Sequence, residues 1–222
     1  MSNLAVLFDL DGTLLDRDSS LLLFAQDQYD RFPELRIAER DVFIRRFIEL
    51  DQHGYVWKDK VYQQLLVELS ISALEWPVML DDYLRHFPGH CVAFPGLSET
   101  LSRLKQQGAR LALVSNGFGQ FQYDNLKALG VEHLFDAILI SEWEAVRKPD
   151  PAIFHRALDK LGVSAENAWF IGDHPDNDIR AARAAGLKTV WKRSGQFEAP
   201  PEADAVIGDL TELLEVILPA DL

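Results

Sequence analysis

Short apolar runs recur along this chain, each ended by a polar or glycine-bearing turn. Leu4-Ala5-Val6-Leu7-Phe8 is the first, and similar runs follow at residues 110–114, 137–140, 168–171, 189–191 and 205–207. Their length predicts strands, and their unbroken hydrophobicity predicts a sheet buried on both faces. Between them lie segments of helical period at residues 97–107, 121–129, 152–161, 179–185 and 210–217. Gly108, Gly130, Gly162 and Gly186 stand just past four of these, where helices favour a left-handed terminal residue. Strand and helix in alternation predict right-handed β-α-β units. The expected fold is α/β, a doubly wound, parallel, Rossmann-like sheet.

Residues 19–86 break the alternation. Leu21-Leu22-Leu23-Phe24, Val42-Phe43-Ile44 with Phe47-Ile48, Val61-Tyr62 with Leu65-Leu66, and residues 78–84 read as helices. Pro33, Gly54 and Pro77 are the expected breaks between them. So long a helical stretch exceeds a simple crossover between neighbouring strands and predicts an inserted helical domain. The division is then residues 1–16 and 95–222 as a Rossmann-like core, with residues 17–94 as the insertion and its junctions. No repeat or low-complexity tract interrupts either part.

Charge and cysteine content narrow the class. The chain of 222 residues carries 22 Lys+Arg against 35 Asp+Glu, a net charge of −13. That excess of acid argues against a nucleic-acid polymer as partner, because backbone binding needs clustered cations. It leaves small anionic substrates open, since one lysine or one divalent metal reverses the local field. Cys91 is the single cysteine, so neither an internal disulfide nor a cysteine zinc cluster can form. The first residues lack a signal-peptide pattern, and no apolar run reaches the roughly 18–20 residues that span a bilayer. A cytoplasmic protein without membrane contact is expected; the sequence carries no reading of oligomeric state.

The candidate chemistry gathers at the ends of the predicted strands, where ligands bind in open parallel sheets. Asp9 and Asp11 follow the first run, one residue apart and so on one side of an extended chain. Such a pair repels unless a cation intervenes; one member can attack phosphorus while the other supplies and removes protons. Gly12-Thr13 allows a turn whose N–H groups face an anion. Ser115-Asn116-Gly117 ends the second run and offers a hydroxyl and main-chain donors for phosphate oxygens. Lys148 precedes Pro149-Asp150-Pro151 and can neutralise carboxylate and phosphate together. Gly172-Asp173-His174-Pro175-Asp176-Asn177-Asp178 sets three acids after a buried strand, an oxygen-rich set suited to Mg2+. Asp176 or Asn177 can alternatively cap the following helix, and His174, without a second His or Cys nearby, reads as a hydrogen-bonded or surface residue.

Asp9-Leu10-Asp11-Gly12-Thr13-Leu14, Ser115-Asn116-Gly117, Lys148-Pro149-Asp150-Pro151 and Gly172-Asp173 with Asp178 resemble the four ordered motifs of the haloacid dehalogenase-like hydrolase superfamily. The insertion resembles the helical cap of many members, and the chain looks most like the branch with phosphoglycolate phosphatases and 5′-nucleotidases. The resemblance implies a Mg2+-dependent phosphatase acting on a small phosphorylated metabolite through an aspartyl-phosphate. It implies Asp9 as nucleophile, Asp11 as general acid/base, and Lys148 orienting Asp9 and phosphate. Ser115 and the Asn116 main chain would bind the phosphoryl group. Asp9, Asp173, Asp178 and the main-chain carbonyl of Asp11 would ligate Mg2+, with Asp176 as the rival to Asp178.

A phosphosugar mutase, a haloacid dehalogenase and a non-catalytic binding or regulatory protein on the same fold are the alternatives. Asp11 favours phosphoryl chemistry over dehalogenation, and the complete set Asp9, Asp11, Ser115, Lys148 and Asp173 favours an enzyme. Within the insertion, Arg45-Arg46, Tyr55, Trp57, Lys58 and Lys60 read as helix surface and packing ahead of substrate contacts.

Overall fold

The structure is a computed structural model and describes residues 4–218. After β1 (Ala5–Phe8) and the two-residue β2 (Leu15–Asp16) come four helices, α1 (Arg17–Arg31), α2 (Arg40–Asp51), α3 (Lys58–Glu68) and α4 (Trp76–His86). A second two-residue strand, β3 (Val92–Ala93), leads to α5 (Leu97–Gln106), β4 (Arg110–Ser115), α6 (Gly119–Ala128) and β5 (Ala137–Ile140). Then follow α7 (Ser141–Glu144), α8 (Ala152–Leu161), β6 (Ala168–Gly172), α9 (Ala181–Ala184), β7 (Lys188–Lys192), β8 (Ala205–Ile207) and α10 (Leu213–Ile217). The chain forms two compact units, one of Met1–Asp16 with Ala93–Leu222 and one of Arg17–Val92.

In the first unit the six longer strands form one parallel sheet in the order β5-β4-β1-β6-β7-β8. The chain runs outward on one side of β1 and returns to run outward on the other, so strand order reverses beside β1. A crevice opens at the carboxyl ends of strands at such a reversal. Every residue of β1 is buried, as is β4 from Leu111 onward, which is what a doubly covered sheet requires. One face is sealed by α8, whose Ile153, Phe154, Ala157, Leu158 and Leu161 lie with Ala5, Leu7, Val114, Leu139 and Phe170. The ring of Phe154 meets that of Phe170 edge-on at 5.0 Å, and Phe154→Ala should remove about 3–5 kcal/mol through lost burial and a cavity.

Helix ends follow local chemistry. Gly108, Gly130, Gly162 and Gly186 all take positive φ. The helix expected at residues 179–185 starts earlier, with a π-helical turn over Pro175–Arg180 before α9. Its cap is neither Asp176 nor Asn177. The ring Nδ1 of His174 accepts from the main-chain N–H groups of both, each at 3.1 Å, so the first turn closes one element ahead of the apolar pattern. The last predicted helix divides into a 3-10 turn, Leu210–Glu212, with an Asp209–Glu212 capping box, and α10. Pro77 lies in the first turn of α4, where its missing N–H has no intrahelical role, and so marks the start of that helix after the gap that follows α3.

The second unit has its own core, built from aromatic rings. Phe47 stacks on Tyr62 at 5.3 Å, Phe24 meets Tyr83 edge-on at 5.2 Å, and Tyr83 lies 5.0 Å from Phe87. Buried polar groups in this core are paired. Gln28 donates to Asp82 at 2.8 Å and accepts from the Tyr62 hydroxyl at 2.8 Å. Asp51 accepts from both terminal nitrogens of Arg17 at 2.7 and 2.9 Å, from Lys58, and from the Gly54 N–H at 2.9 Å. Lys58 is therefore no surface cation: it is 1% exposed, and its ammonium also lies 4.9 Å over the Tyr83 ring. Arg45 and Arg46 do lie on the helix surface, against Glu49 and Glu68. Tyr55 is exposed, and Trp57 is half-buried edge-on to Tyr83 at 6.3 Å. No helix among the described residues is long and apolar enough to cross a membrane.

Candidate active site

Three strands of the sheet end together. Phe8 is in register with Leu113 of β4 and Ile171 of β6. Asp9 continues that ladder by donating its main-chain N–H to the Ile171 carbonyl at 2.9 Å. Ser115 closes β4 and Asp173 follows β6, so both stand at the same rim. Lys148 reaches this rim from the loop between α7 and α8 and is almost fully buried. Its Nζ donates to Asp9 Oδ1 at 2.6 Å and to Asp178 Oδ1 at 2.7 Å. The lysine main chain is held in turn by the Asn116 side chain: Lys148 N–H donates to Asn116 Oδ1, and Asn116 Nδ2 donates to the Lys148 carbonyl, both at 2.9 Å.

Asp9, Asp173 and Asp178 are all buried, and one oxygen from each lies within 4.8 Å of the others. Burial pushes the Asp9 carboxyl up to about 7 against the pull of Lys148, with the Asp178 charge adding to the rise. Burial and then the charges of Asp9 and Asp178 push Asp173 up to about 8. Lys148 moves the other way from burial alone: Asp178 and Asp9 hold its ammonium above the ordinary lysine range. One oxygen of Asp178 faces Lys148, while the other accepts the main-chain N–H groups of Asp173 and His174 at 3.1 and 3.0 Å. The Asp173 carboxylate accepts no hydrogen bond from a described residue. It lies so close to Gly12 that a Cβ there would stand 2.2 Å from Asp173 Oδ2, and Gly12 has φ +80°, so the motif requires glycine for space and for conformation. Of the three buried carboxylates, Asp9 and Asp178 share the Lys148 ammonium, and Asp173 accepts from no described cation. That surplus of oxygen donors and negative charge suits a hard divalent cation.

Asp176, the rival to Asp178, turns away: it is exposed and paired with Arg180 at 2.5 Å. Asp11 diverges from Asp9. Its carboxylate lies outside the three-acid cluster and accepts, on Oδ2, the side-chain amide of Gln122 at 2.6 Å. The same Gln122 nitrogen donates to Ser115 Oγ at 2.9 Å. The structure thus brings all of Asp9, Asp11, Ser115, Asn116, Lys148, Asp173 and Asp178 to one rim of one unit. Gln122 joins them unforeseen. Its only trace in the sequence is a glutamine shortly after Ser115-Asn116-Gly117, beside Gln120 and Asn125.

A family model described as haloacid dehalogenase-like hydrolase matches residues 6–192. A glyceraldehyde 3-phosphate phosphatase of Pyrococcus furiosus is 37% identical over 96% of this chain and 92% of its own. A phosphoglycolate phosphatase of Aliivibrio fischeri is 31% identical over 96% and 95%. Among solved structures, a HAD phosphatase of Thermococcus onnurineus aligns with TM-score 0.70 and 25% identity over 99% of this chain and all of that one.

Proposed function

Because the chain belongs to the haloacid dehalogenase-like hydrolase family and is a phosphatase, we propose that it hydrolyses a small phosphomonoester through an aspartyl-phosphate on Asp9, with Mg2+ as cofactor. The observation that carries this reading is the division of the two motif carboxylates. Asp9 faces the buried ammonium of Lys148, and Asp11 faces the neutral amide of Gln122. A nucleophile needs its direction fixed, which the Lys148 hydrogen bond supplies; an acid/base needs an oxygen open to the reacting atoms, and Asp11 Oδ1 accepts no hydrogen bond from a described residue. The two settings match those needs.

In the first displacement an Asp9 carboxylate oxygen bonds to phosphorus. The bond from phosphorus to the alcohol oxygen breaks, and that oxygen takes a proton from Asp11. In the second, a water oxygen bonds to phosphorus while Asp11 takes the water proton, and Asp9 leaves as carboxylate. Lys148 fixes Asp9 and offsets the charge of an approaching phosphate. The Ser115 hydroxyl and the Asn116 main-chain N–H hold phosphoryl oxygens. Asp9, Asp173, Asp178 and the Asp11 main-chain carbonyl would hold Mg2+, which when bound supplies positive charge against the repulsion of acid and phosphate.

The catalytic core in this reading is residues 1–16 and 95–222. The substrate class is a small phosphorylated metabolite of the size named for the relatives, glyceraldehyde 3-phosphate or phosphoglycolate, and the compartment is the cytoplasm. Phosphate release from p-nitrophenyl phosphate, with Mg2+ and then with chelator, tests the chemistry, and kcat/KM across small phosphorylated acids, aldehydes and sugars ranks the substrates. Release that persists in Asp9→Asn, or that ignores the chelator, would remove the proposed mechanism.

A further inference from the structure

We infer that Gln122 is a positioning residue that sets the direction of hydrogen bonding on both sides of the phosphoryl seat: it presents Asp11 as proton donor to the leaving group and Ser115 as hydroxyl donor to phosphate. The inference rests on the phosphatase reading above. Gln122 is 4% exposed, on the first turn of α6, so its amide must be satisfied within the protein. A carboxylate only accepts, so the amide group facing Asp11 is the nitrogen. The opposite end agrees: Gln122 Oε1 accepts from Asn125 Nδ2 at 3.2 Å. The two protons of Nε2 have two good acceptors, Asp11 Oδ2 at 2.6 Å and Ser115 Oγ at 2.9 Å.

Each partner inherits a polarity. Asp11 Oδ2 is occupied by an N–H, and Asp11 Oδ1 accepts no hydrogen bond from a described residue. The proton that passes to the alcohol oxygen therefore belongs on Oδ1, the unheld atom. Ser115 has one lone pair engaged by Gln122, so its own O–H is released to donate outward to a phosphoryl oxygen. Space for this arrangement comes from the motif itself: a Cβ on Gly117 would stand 2.7 Å from Gln122 Cγ. Glycine in Ser115-Asn116-Gly117 thus admits the glutamine side chain into the seat.

The test is Gln122→Met, which keeps length and bulk but has no N–H, measured on two substrates that differ in need of an acid. An alkyl phosphate leaves as a strongly basic alkoxide and depends on Asp11; p-nitrophenyl phosphate leaves as a stable phenolate and needs little protonation. Because kcat/KM reports steps up to loss of the alcohol, slow hydrolysis of the aspartyl-phosphate does not mask the difference. The expected loss is about ten- to hundredfold larger for the alkyl phosphate than for the aryl phosphate. Any weakening of phosphate binding through Ser115 acts on both substrates and cancels in that ratio. Asp11→Asn should show the same preference more strongly, and adding Gln122→Met to it should change the ratio no further. Equal losses on both substrates, no loss at all, or independent ratios in the double variant would overturn the inference. Absence of phosphatase activity in the wild type would instead overturn the underlying function. Melting temperature with and without Mg2+ controls for folding, since Gln122 hydrogen-bonds to none of Asp9, Asp173 and Asp178.

Discussion

Asn116 and Lys148, which lie on separate segments, clasp one another by two hydrogen bonds of 2.9 Å between a side-chain amide and a main chain. The lysine ammonium can meet two carboxylates because its backbone is fixed by a residue of the neighbouring motif. Asn116→Ala should therefore leave Lys148 in place but less exactly aimed. The orphaned Lys148 N–H should destabilise by about 1–3 kcal/mol, and misplacement of the ammonium should lower kcat about ten- to hundredfold. Urea unfolding and steady-state kinetics on the same sample measure the two effects.

Asp9→Asn should fold and lose at least about 10⁴-fold in kcat, because a neutral amide is a poor nucleophile. At pH 8.5 the metal-free variant should also melt higher than the metal-free wild type, since one of three crowded buried acids can no longer ionise. A variant of near-normal rate, or one less stable without metal, would contradict this account of the site.

The raised acids set a pH dependence. Asp9 and Asp173 titrate near 7 and 8 in the folded chain, above the unfolded value of 3.8. Folding thus favours their protonated forms. The resulting stability is fully present below about pH 4 and is lost as pH rises through 7 to 8. Metal-free protein should lose stability over that rise, and Mg2+ should restore it, so the Mg2+-induced shift in melting temperature should be larger at pH 8.5 than at pH 6. Differential scanning fluorimetry at the two pH values, with and without chelator, reads the sign directly.

In the helical unit, Asp51 is the acceptor for Arg17 and Lys58. Burial alone would raise its carboxyl, but Lys58 and Arg17 outweigh it and hold the value at about 2. The stabilisation, about 2 kcal/mol, is present above pH 3.8 and lost as pH falls toward 2. Asp51→Ala should cost about 3–5 kcal/mol at neutral pH by stranding a buried ammonium. The wild-type advantage over Asp51→Asn should shrink in urea titrations as pH is lowered through that window.

The sheet is legible in the sequence because both of its faces are covered: β1 and β4 need apolar residues at consecutive positions, and that pattern has few other causes. The rim residues Asp9, Ser115 and Asp173 are legible because each ends or follows such a run, whereas Lys148, in the loop between α7 and α8, is legible only through the Lys148-Pro149-Asp150-Pro151 pattern. Gln122 is not, since one glutamine on a helix that also bears Gln120 and Asn125 has no distinguishing neighbour in the chain. Asp176 and Asp178 are equivalent by spacing alone, and only the π-helical turn capped by His174 sends one to solvent and the other inward. Lys58 hides within Lys58-Asp59-Lys60, where composition reads as surface; a partner seven residues earlier, Asp51, decides otherwise.

The position of β1 also dictates an order of assembly. Ala5 pairs with Arg110 on one side and Ala168 on the other. On a ribosome adding about 5–20 residues per second, the strand that bears Asp9 emerges first and waits roughly ten to thirty seconds for its second neighbour. Residues 17–92 can close their own aromatic core in that interval. Pairings so distant in sequence form slowly, and the edge of β1 that awaits β6 is open meanwhile to contact with other nascent chains. Synthesis of this protein thus passes through a stage at which the fully buried β1 lacks one of its two neighbours, and slowing translation should lengthen that stage.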